Sequence, residues 1–139
     1  MNRTPLYTAN ATSKGGRTGL VKTDDGLIEM KLTTPKSMGG DGAVGTNPEQ
    51  LFAAGYSSCF AGAVGLVARQ KSVAVGAFTI SAAVTFNKQD DGFGISVKLT
   101  GSFPELAKDQ AEALMTAAHQ VCPYSKATRN NIPVELAVA

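Results

Sequence analysis

Two residues in this chain carry a side chain that can attack, be oxidised and be restored: Cys59 and Cys122. Cys59 closes an apolar run that begins at Asn47-Pro48-Glu49. Cys122 follows His119-Gln120-Val121 and precedes Pro123-Tyr124-Ser125. A thiol attacks only as its thiolate, and free cysteine has a pKa of about 8.5. Two thiols far apart in sequence, each in a helix-like setting, suit a redox couple in which one attacks and the other resolves. The competing reading is structural, because free cysteine is among the most commonly buried residue types.

The neighbours of each thiol sharpen the question. Cys59 sits about three turns into its expected helix, beyond the reach of that helix's own dipole. Burial among Phe52, Tyr56 and Phe60 would raise its pKa. A reactive Cys59 therefore needs a cation from elsewhere, and the candidates are Arg17, just after Gly15-Gly16, and Arg129. If a short helix starts at Pro123, Cys122 is its N-cap, where the dipole favours a thiolate. His119 lies one helical turn back and could reach the same face. Glu49 opens the first helix, where an acid complements the dipole. It lies ten residues before Cys59, about 15 Å along one helix axis, so the two cannot touch within one helix. Two such helices packed antiparallel could bring Glu49 of one chain near Cys59 of another. A zinc site built from Cys59, Cys122 and His119 would lack any CxxC or HxxxH spacing. A cysteine hydrolase with His119 as base stays open, and no Gly-x-Ser-x-Gly elbow is present.

The elements that must position these residues follow from periodicity. Pro5–Ser13 and Arg17–Thr23 read as a hairpin around Gly15-Gly16. Leu27–Thr33 reads as a half-buried strand after the Asp24-Asp25-Gly26 turn, with Leu27, Met30 and Leu32 inward. Pro35–Thr46 is a glycine-rich loop without the lysine and hydroxyl of a phosphate cradle. A long helix begins with Asn47 as N-cap, Pro48 in the first turn and Gln50 placed for a capping box. Phe52, Tyr56, Cys59, Ala63 and Leu66 recur along it at helical spacing, and small residues fill its other faces. Such a helix belongs in a core or an interface. Phe78–Phe86 and Phe93–Leu99 form a second hairpin about Asn87–Gly92. Pro104–Val121 reads as a second helix with Leu106, Ala107, Leu114, Ala117, Ala118 and Val121 on its apolar side, ending where Pro123 disfavours helix at Cys122. Asn131–Val138 is a last strand. Strands, helix, strands, helix, strand implies an α+β fold.

At 139 residues the chain is expected to form one domain, 1–139, large enough to fold without staples. Its 43% apolar and 17% charged residues suit a globular protein, and its net charge of +2 is scattered, so no nucleic-acid partner is expected. No continuous apolar run reaches the roughly 18 residues of a membrane span, and the N-terminus lacks the apolar core of a secretory leader. The expectation is a cytoplasmic protein with no membrane partner.

Several blocks together resemble the organic hydroperoxide resistance proteins of the Ohr/OsmC group: Leu6-Tyr7-Thr8-Ala9 with Gly15-Gly16-Arg17, Asn47 to Tyr56, Ser58-Cys59-Phe60, and Cys122 to Ser125 with Ala127-Thr128-Arg129. The early Gly-Gly-Arg and the Cys-Pro-Tyr-Ser block resemble the Ohr branch. The resemblance implies an intertwined homodimer of strongly bent antiparallel sheets around two central helices, with sites at the subunit interface. It implies a thiol peroxidase that reduces organic hydroperoxides, including fatty-acid hydroperoxides, to alcohols. Cys59 would be the peroxidatic cysteine, Cys122 the resolving one, Arg17 the activator of the thiolate and Glu49 the carboxylate orienting that arginine. Phe52, Tyr56 and Phe60 would line an apolar slot. No metal and no bound cofactor are implied; dihydrolipoyl groups on lipoylated proteins would reopen the Cys59–Cys122 disulfide. The alternatives within this resemblance are an OsmC-type peroxidase of other substrate preference and a non-catalytic ligand-binding protein of the same fold.

Overall fold

The computed structural model describes residues 1–139 and divides into two compact units, residues 1–48 and 49–139. The first unit is a three-stranded antiparallel sheet of β1 (Ala11–Lys14), β2 (Leu20–Thr23) and β3 (Glu29–Lys31) in the order β1-β2-β3. Gly15 and Gly16 both take positive φ, 82° and 62°, and lead into a 3-10 turn over Gly16–Thr18. Gly19 closes that loop. A side chain there would place its Cβ 1.7 Å from the Lys14 carbonyl oxygen, just where Lys14 pairs with Leu20. The expected strand over Pro5–Ser13 is therefore only Ala11–Lys14, because β2 offers four residues between Gly19 and the next turn. That turn is held by the Thr23 hydroxyl and the Leu27 N–H, both donating to Asp25, and by Gly26 at φ 74°. Of the residues expected inward on β3, Leu32 is buried, whereas Leu27 and Met30 are exposed. A three-residue edge strand covers too little surface to bury a whole face.

The second unit contains α1 (Pro48–Gln70), β4 (Thr79–Gln89), β5 (Gly92–Ser102), α2 (Lys108–Val121), α3 (Pro123–Thr128) and β6 (Val134–Val138). The hairpin β4–β5 is longer than its sequence pattern suggests. Its ladder runs from Thr79↔Ser102 to Gln89↔Gly92, leaving Asp90-Asp91 as the turn. Strand β6 pairs parallel to β5, from Val97↔Val134 to Gly101↔Val138, so this sheet is mixed rather than wholly antiparallel. The crossover that a parallel pair requires is supplied by α2 and α3. The α+β class is the one expected from the order of the elements.

Helix α1 turns Tyr56, Phe60, Ala63, Val64, Val67 and Ala68 into the core, against Val97 and Leu99 of β5, Phe103, and Ala111, Leu114, Met115 and Ala118 of α2. By length and composition α1 could also cross a membrane, with a mean hydropathy of 1.6, although glycine, serine and tyrosine interrupt its apolar run. Here one of its faces lies in its own chain's core. Helix α2 starts at Lys108 rather than Pro104. Ala107 is extended, and its N–H donates to the Gln110 side chain, which seats the first turn there. Of its expected apolar side, Ala107 and Val121 are exposed, while Ala111 and Met115 are buried instead.

The core is closely packed where β5 passes α2. A Cβ at Gly101 would stand 2.4 Å from Phe103 Cε2 and 2.7 Å from Met115 Sδ. Both neighbours are buried, with Phe103 also stacked on Phe78 at 5.6 Å between ring centroids. Gly101→Ala is therefore expected to destabilise the chain by about 1–3 kcal/mol. Urea unfolding should show a lower midpoint at unchanged slope.

Candidate active site

Helix α1 places Cys59 on the flank of its buried face, three residues after Tyr56 and one before Phe60, so the thiol is half-buried. Cys122 stands at the joint between α2 and α3 and is fully buried. Pro123 forces extended geometry on it, φ −64° and ψ 124°. Its N–H completes α2 by donating to the Ala118 carbonyl, and its own carbonyl accepts from Lys126 N–H to begin α3. The sulfur is thus fixed by two helices at once. The result is a distance of 3.6 Å between Cys122 Sγ and Cys59 Sγ, with both cysteines free. Sixty-three residues of chain separate these two thiols, and the fold brings them into contact.

Burial pushes the Cys59 thiol above its ordinary pKa. The backbone N–H of Tyr124 works the other way, stabilising the thiolate, while the adjacent Cys122 thiol raises the pKa further. That N–H belongs to the first turn of α3. Cys59 is too deep in its own helix for the dipole there to help, yet the start of a different helix presents it with a donor. The proline at position 123 is visible in the sequence; the direction in which the turn after it points is not.

Beneath the thiols lies a cluster of buried hydroxyls. Tyr56 Oη is 2.8 Å from Ser125 Oγ and 2.9 Å from Thr128 Oγ1. His119 Nδ1 is 2.7 Å from Ser125 Oγ, and Thr128 Oγ1 donates to the Ser125 carbonyl at 3.2 Å. His119, expected on the face of Cys122, spends its Nδ1 on this serine instead. Burial lowers its pKa, assisted by the nearby positive charge of Arg129. Arg129, one of the two cations considered for Cys59, donates from its guanidinium to the His119 carbonyl. Ser125 and Thr128 stand in the blocks that carry the family resemblance, but only their contacts show that they meet Tyr56.

The aromatic residues divide differently from the expectation of a common slot. Tyr56 and Phe60 have no exposed surface and form the floor under Cys59. Phe52 is half-buried and Tyr124 is 39% exposed, and their rings lie 6.1 Å apart. Tyr124 also packs on Tyr56 at 5.7 Å. Gly55 makes room for it, since a Cβ there would come within 2.8 Å of the Tyr124 hydroxyl. Phe52 and Tyr124, rather than Tyr56 and Phe60, are the aromatic surface of this region. Glu49 occupies the first turn of α1. Arg17 lies in the 3-10 turn of the other unit.

The sequence profile of the OsmC-like protein family matches residues 39–137. An organic hydroperoxide resistance protein of Xanthomonas axonopodis pv. citri is 48% identical over 135 residues, 96% of this chain and 95% of that one. A crystal structure of an organic hydroperoxide resistance protein from Legionella pneumophila superposes with a TM-score of 0.92 at 42% identity, covering 98% of this chain and 99% of the other. The organic hydroperoxide resistance protein OhrB of Bacillus subtilis gives 0.89 at 40% identity, over 97% and 100%. With similarity that spans sequence, fold and nearly the full length of each relative, this chain belongs to the OsmC-like family, among its organic hydroperoxide resistance proteins.

Proposed function

We propose that this chain is a cysteine-based peroxidase that detoxifies organic hydroperoxides. The observation that carries the reading is the 3.6 Å contact between two free thiols, one half-buried and one fully buried, in a chain of this family. The more accessible sulfur, Cys59, attacks the distal oxygen of the hydroperoxide as its thiolate. The O–O bond breaks, the alkoxide leaves and takes up a proton as the alcohol, and Cys59 becomes a sulfenic acid. Cys122, already in van der Waals contact, then displaces hydroxide from that sulfur and a disulfide forms.

Arg17 is proposed to stabilise the Cys59 thiolate and to donate to the peroxide oxygens as charge develops, with Glu49 orienting its guanidinium. A cation is needed because burial raises the Cys59 pKa more than the Tyr124 N–H lowers it. Phe52 and Tyr124 are proposed to receive the apolar tail of an alkyl or fatty-acid hydroperoxide. A dithiol of the dihydrolipoyl class, borne on a lipoylated protein, reopens the disulfide, and no bound cofactor takes part. The functional unit is proposed to be a homodimer. In support, α1 leaves Ala54, Ser58 and Gly62 exposed at four-residue spacing, small enough for a second helix to approach closely, with an exposed leucine, Leu66, at the next step.

The decisive assay follows tert-butyl hydroperoxide consumption with dihydrolipoamide, glutathione or thioredoxin as donor. Turnover is expected with dihydrolipoamide and far less with the others. Cys59→Ser should abolish consumption. Cys122→Ser should consume about one equivalent and then stall or over-oxidise. Equal loss of the first oxidation in both variants would reverse or remove these roles.

The pH dependence follows from the same shift. A raised thiol pKa leaves less thiolate at neutral pH, so the peroxide rate should climb with pH until Cys59 ionises. Arg17→Ala should move that climb, and the midpoint of Cys59 alkylation, to higher pH by about one unit, or about 1.4 kcal/mol. Arg17→Lys should recover only part, since it restores the charge without the planar fork. Glu49→Ala should have a milder effect in the same direction. Unchanged alkylation and peroxide rates in Arg17→Ala would remove it from the mechanism. Sedimentation at micromolar concentration should return twice the mass of the chain; a monomer would count against the homodimer.

A further inference from the structure

The hydroxyl cluster under the thiols has a direction that can be worked out proton by proton. Each hydroxyl has one proton to give. Thr128 gives its proton to the Ser125 carbonyl. It must then accept at Oγ1, so the Tyr56 hydroxyl donates to Thr128. Tyr56 has no second proton, so Ser125 Oγ–H donates to Tyr56 Oη. The serine proton is now spent, and the 2.7 Å contact to His119 holds only if His119 carries its proton on Nδ1. The opposite sense would leave the contact from Thr128 to the Ser125 carbonyl without a proton. The chain of donors thus runs His119, Ser125, Tyr56, Thr128 and ends on the backbone of α3.

Its four side chains sit on three helices. Tyr56 is on α1, three residues before Cys59. His119 is on α2, three residues before Cys122. Ser125 and Thr128 are on α3, whose N-cap is Cys122. Tyr56, Ser125 and Thr128 are all buried. We propose that this relay is a positioning device for the second chemical step: it locks the joint between α2 and α3 onto α1, and so holds Cys122 against Cys59 when the sulfenic acid forms. The inference rests on the peroxidase reading for that step. In it the Cys122 sulfur bonds to the Cys59 sulfur, the S–O bond breaks, and the hydroxide leaves with the Cys122 proton as water. The two electrons have already gone to the hydroperoxide. The competing fate of the sulfenic acid is attack on a second hydroperoxide, which gives sulfinic acid and a second alcohol. Closure is unimolecular and depends on sulfur geometry, where a displacement of about 1 Å can cost about a hundredfold in rate. Over-oxidation has no such dependence. Ser125, Tyr56, Thr128 and His119 are therefore positioning residues for closure, with no contact to substrate required.

The test is the partition of oxidised Cys59 between disulfide and sulfinic acid, read by mass spectrometry over a tert-butyl hydroperoxide series. This ratio is independent of how fast the sulfenic acid forms. Ser125→Ala and Thr128→Val should each shift the partition toward sulfinic acid by at least about tenfold. Thr128→Ser, which keeps the hydroxyl, should restore the wild-type ratio. A wild-type ratio in both Ser125→Ala and Thr128→Val would overturn the proposal. Diamide supplies a second oxidant that closes dithiols without peroxide. Slow diamide closure in the same variants supports the relay even if the wild-type chain consumes no hydroperoxide, an outcome that would defeat the peroxidase reading alone. Nitrogen NMR of the wild-type chain avoids substitution altogether, because His119 is the only histidine. At neutral pH its proton should be on Nδ1. A proton on Nε2 would reverse the relay and overturn the proposal as drawn.

Discussion

The tie between Tyr56 and the start of α3 is the interaction on which the arrangement of the thiols depends. Ser125 and Thr128 lie one turn apart on a helix of only six residues, and both reach the same phenol on α1. So short a helix has little stability of its own. Its position is set by what it docks against, and the dock is a hydrogen-bonded one. Cys122 inherits its place from this docking, because it caps the end of one helix and the start of the next. Cys59 inherits its place from the register of α1, where Tyr56 and Phe60 point inward and Cys59 lies on the flank of the face they share. A contact of 3.6 Å between sulfurs is the meeting of these two constraints.

The electrostatic setting of Cys59 follows from the same docking. Its thiol is half-buried, which by itself favours the neutral form. The compensating donor within the unit is a backbone N–H from α3, available because Pro123 has no N–H to offer and Tyr124 is the first residue of the turn that does. The turn that delivers the second thiol thus also delivers a donor to the first.

How much of this could be read from residues alone differs by element. Helix α1 was legible because Pro48 and the following acid mark its start and its apolar residues recur at helical spacing. The stop at Cys122-Pro123 was legible for the same local reason. The parallel pairing of β5 with β6 was not, because that contact is fixed by a crossover and not by any neighbouring turn. That Tyr56 and Phe60 are wholly buried while Phe52 is only half-buried was not legible, since proximity to Cys59 along the chain does not say on which side of the helix a ring lies. His119 was placed on the face of Cys122 by spacing, but a buried serine six residues on offered its nitrogen a partner. The two cysteines were legible as a pair through chemistry and family resemblance; their contact needed the tertiary structure.

A core of aliphatic side chains could have joined α1 to α3 with equal stability. A buried neutral hydrogen bond contributes only about 0.5–1.5 kcal/mol net, while an unsatisfied hydroxyl costs about 1–3 kcal/mol. A network of four polar side chains is therefore an insecure way to gain stability and a demanding one to build. What it supplies instead is direction. Apolar contacts tolerate sliding, because their energy follows buried area and hardly changes over a fraction of an ångström. Hydrogen bonds of 2.7–2.9 Å do not tolerate it, and linked bonds fail together. Two sulfurs that must meet in a bond of about 2.05 Å need that kind of restraint. The polar joint is therefore best understood as geometry held under the thiols, with the surrounding apolar core of Phe60, Val64, Leu114, Met115 and Ala118 supplying the stability that the joint itself does not.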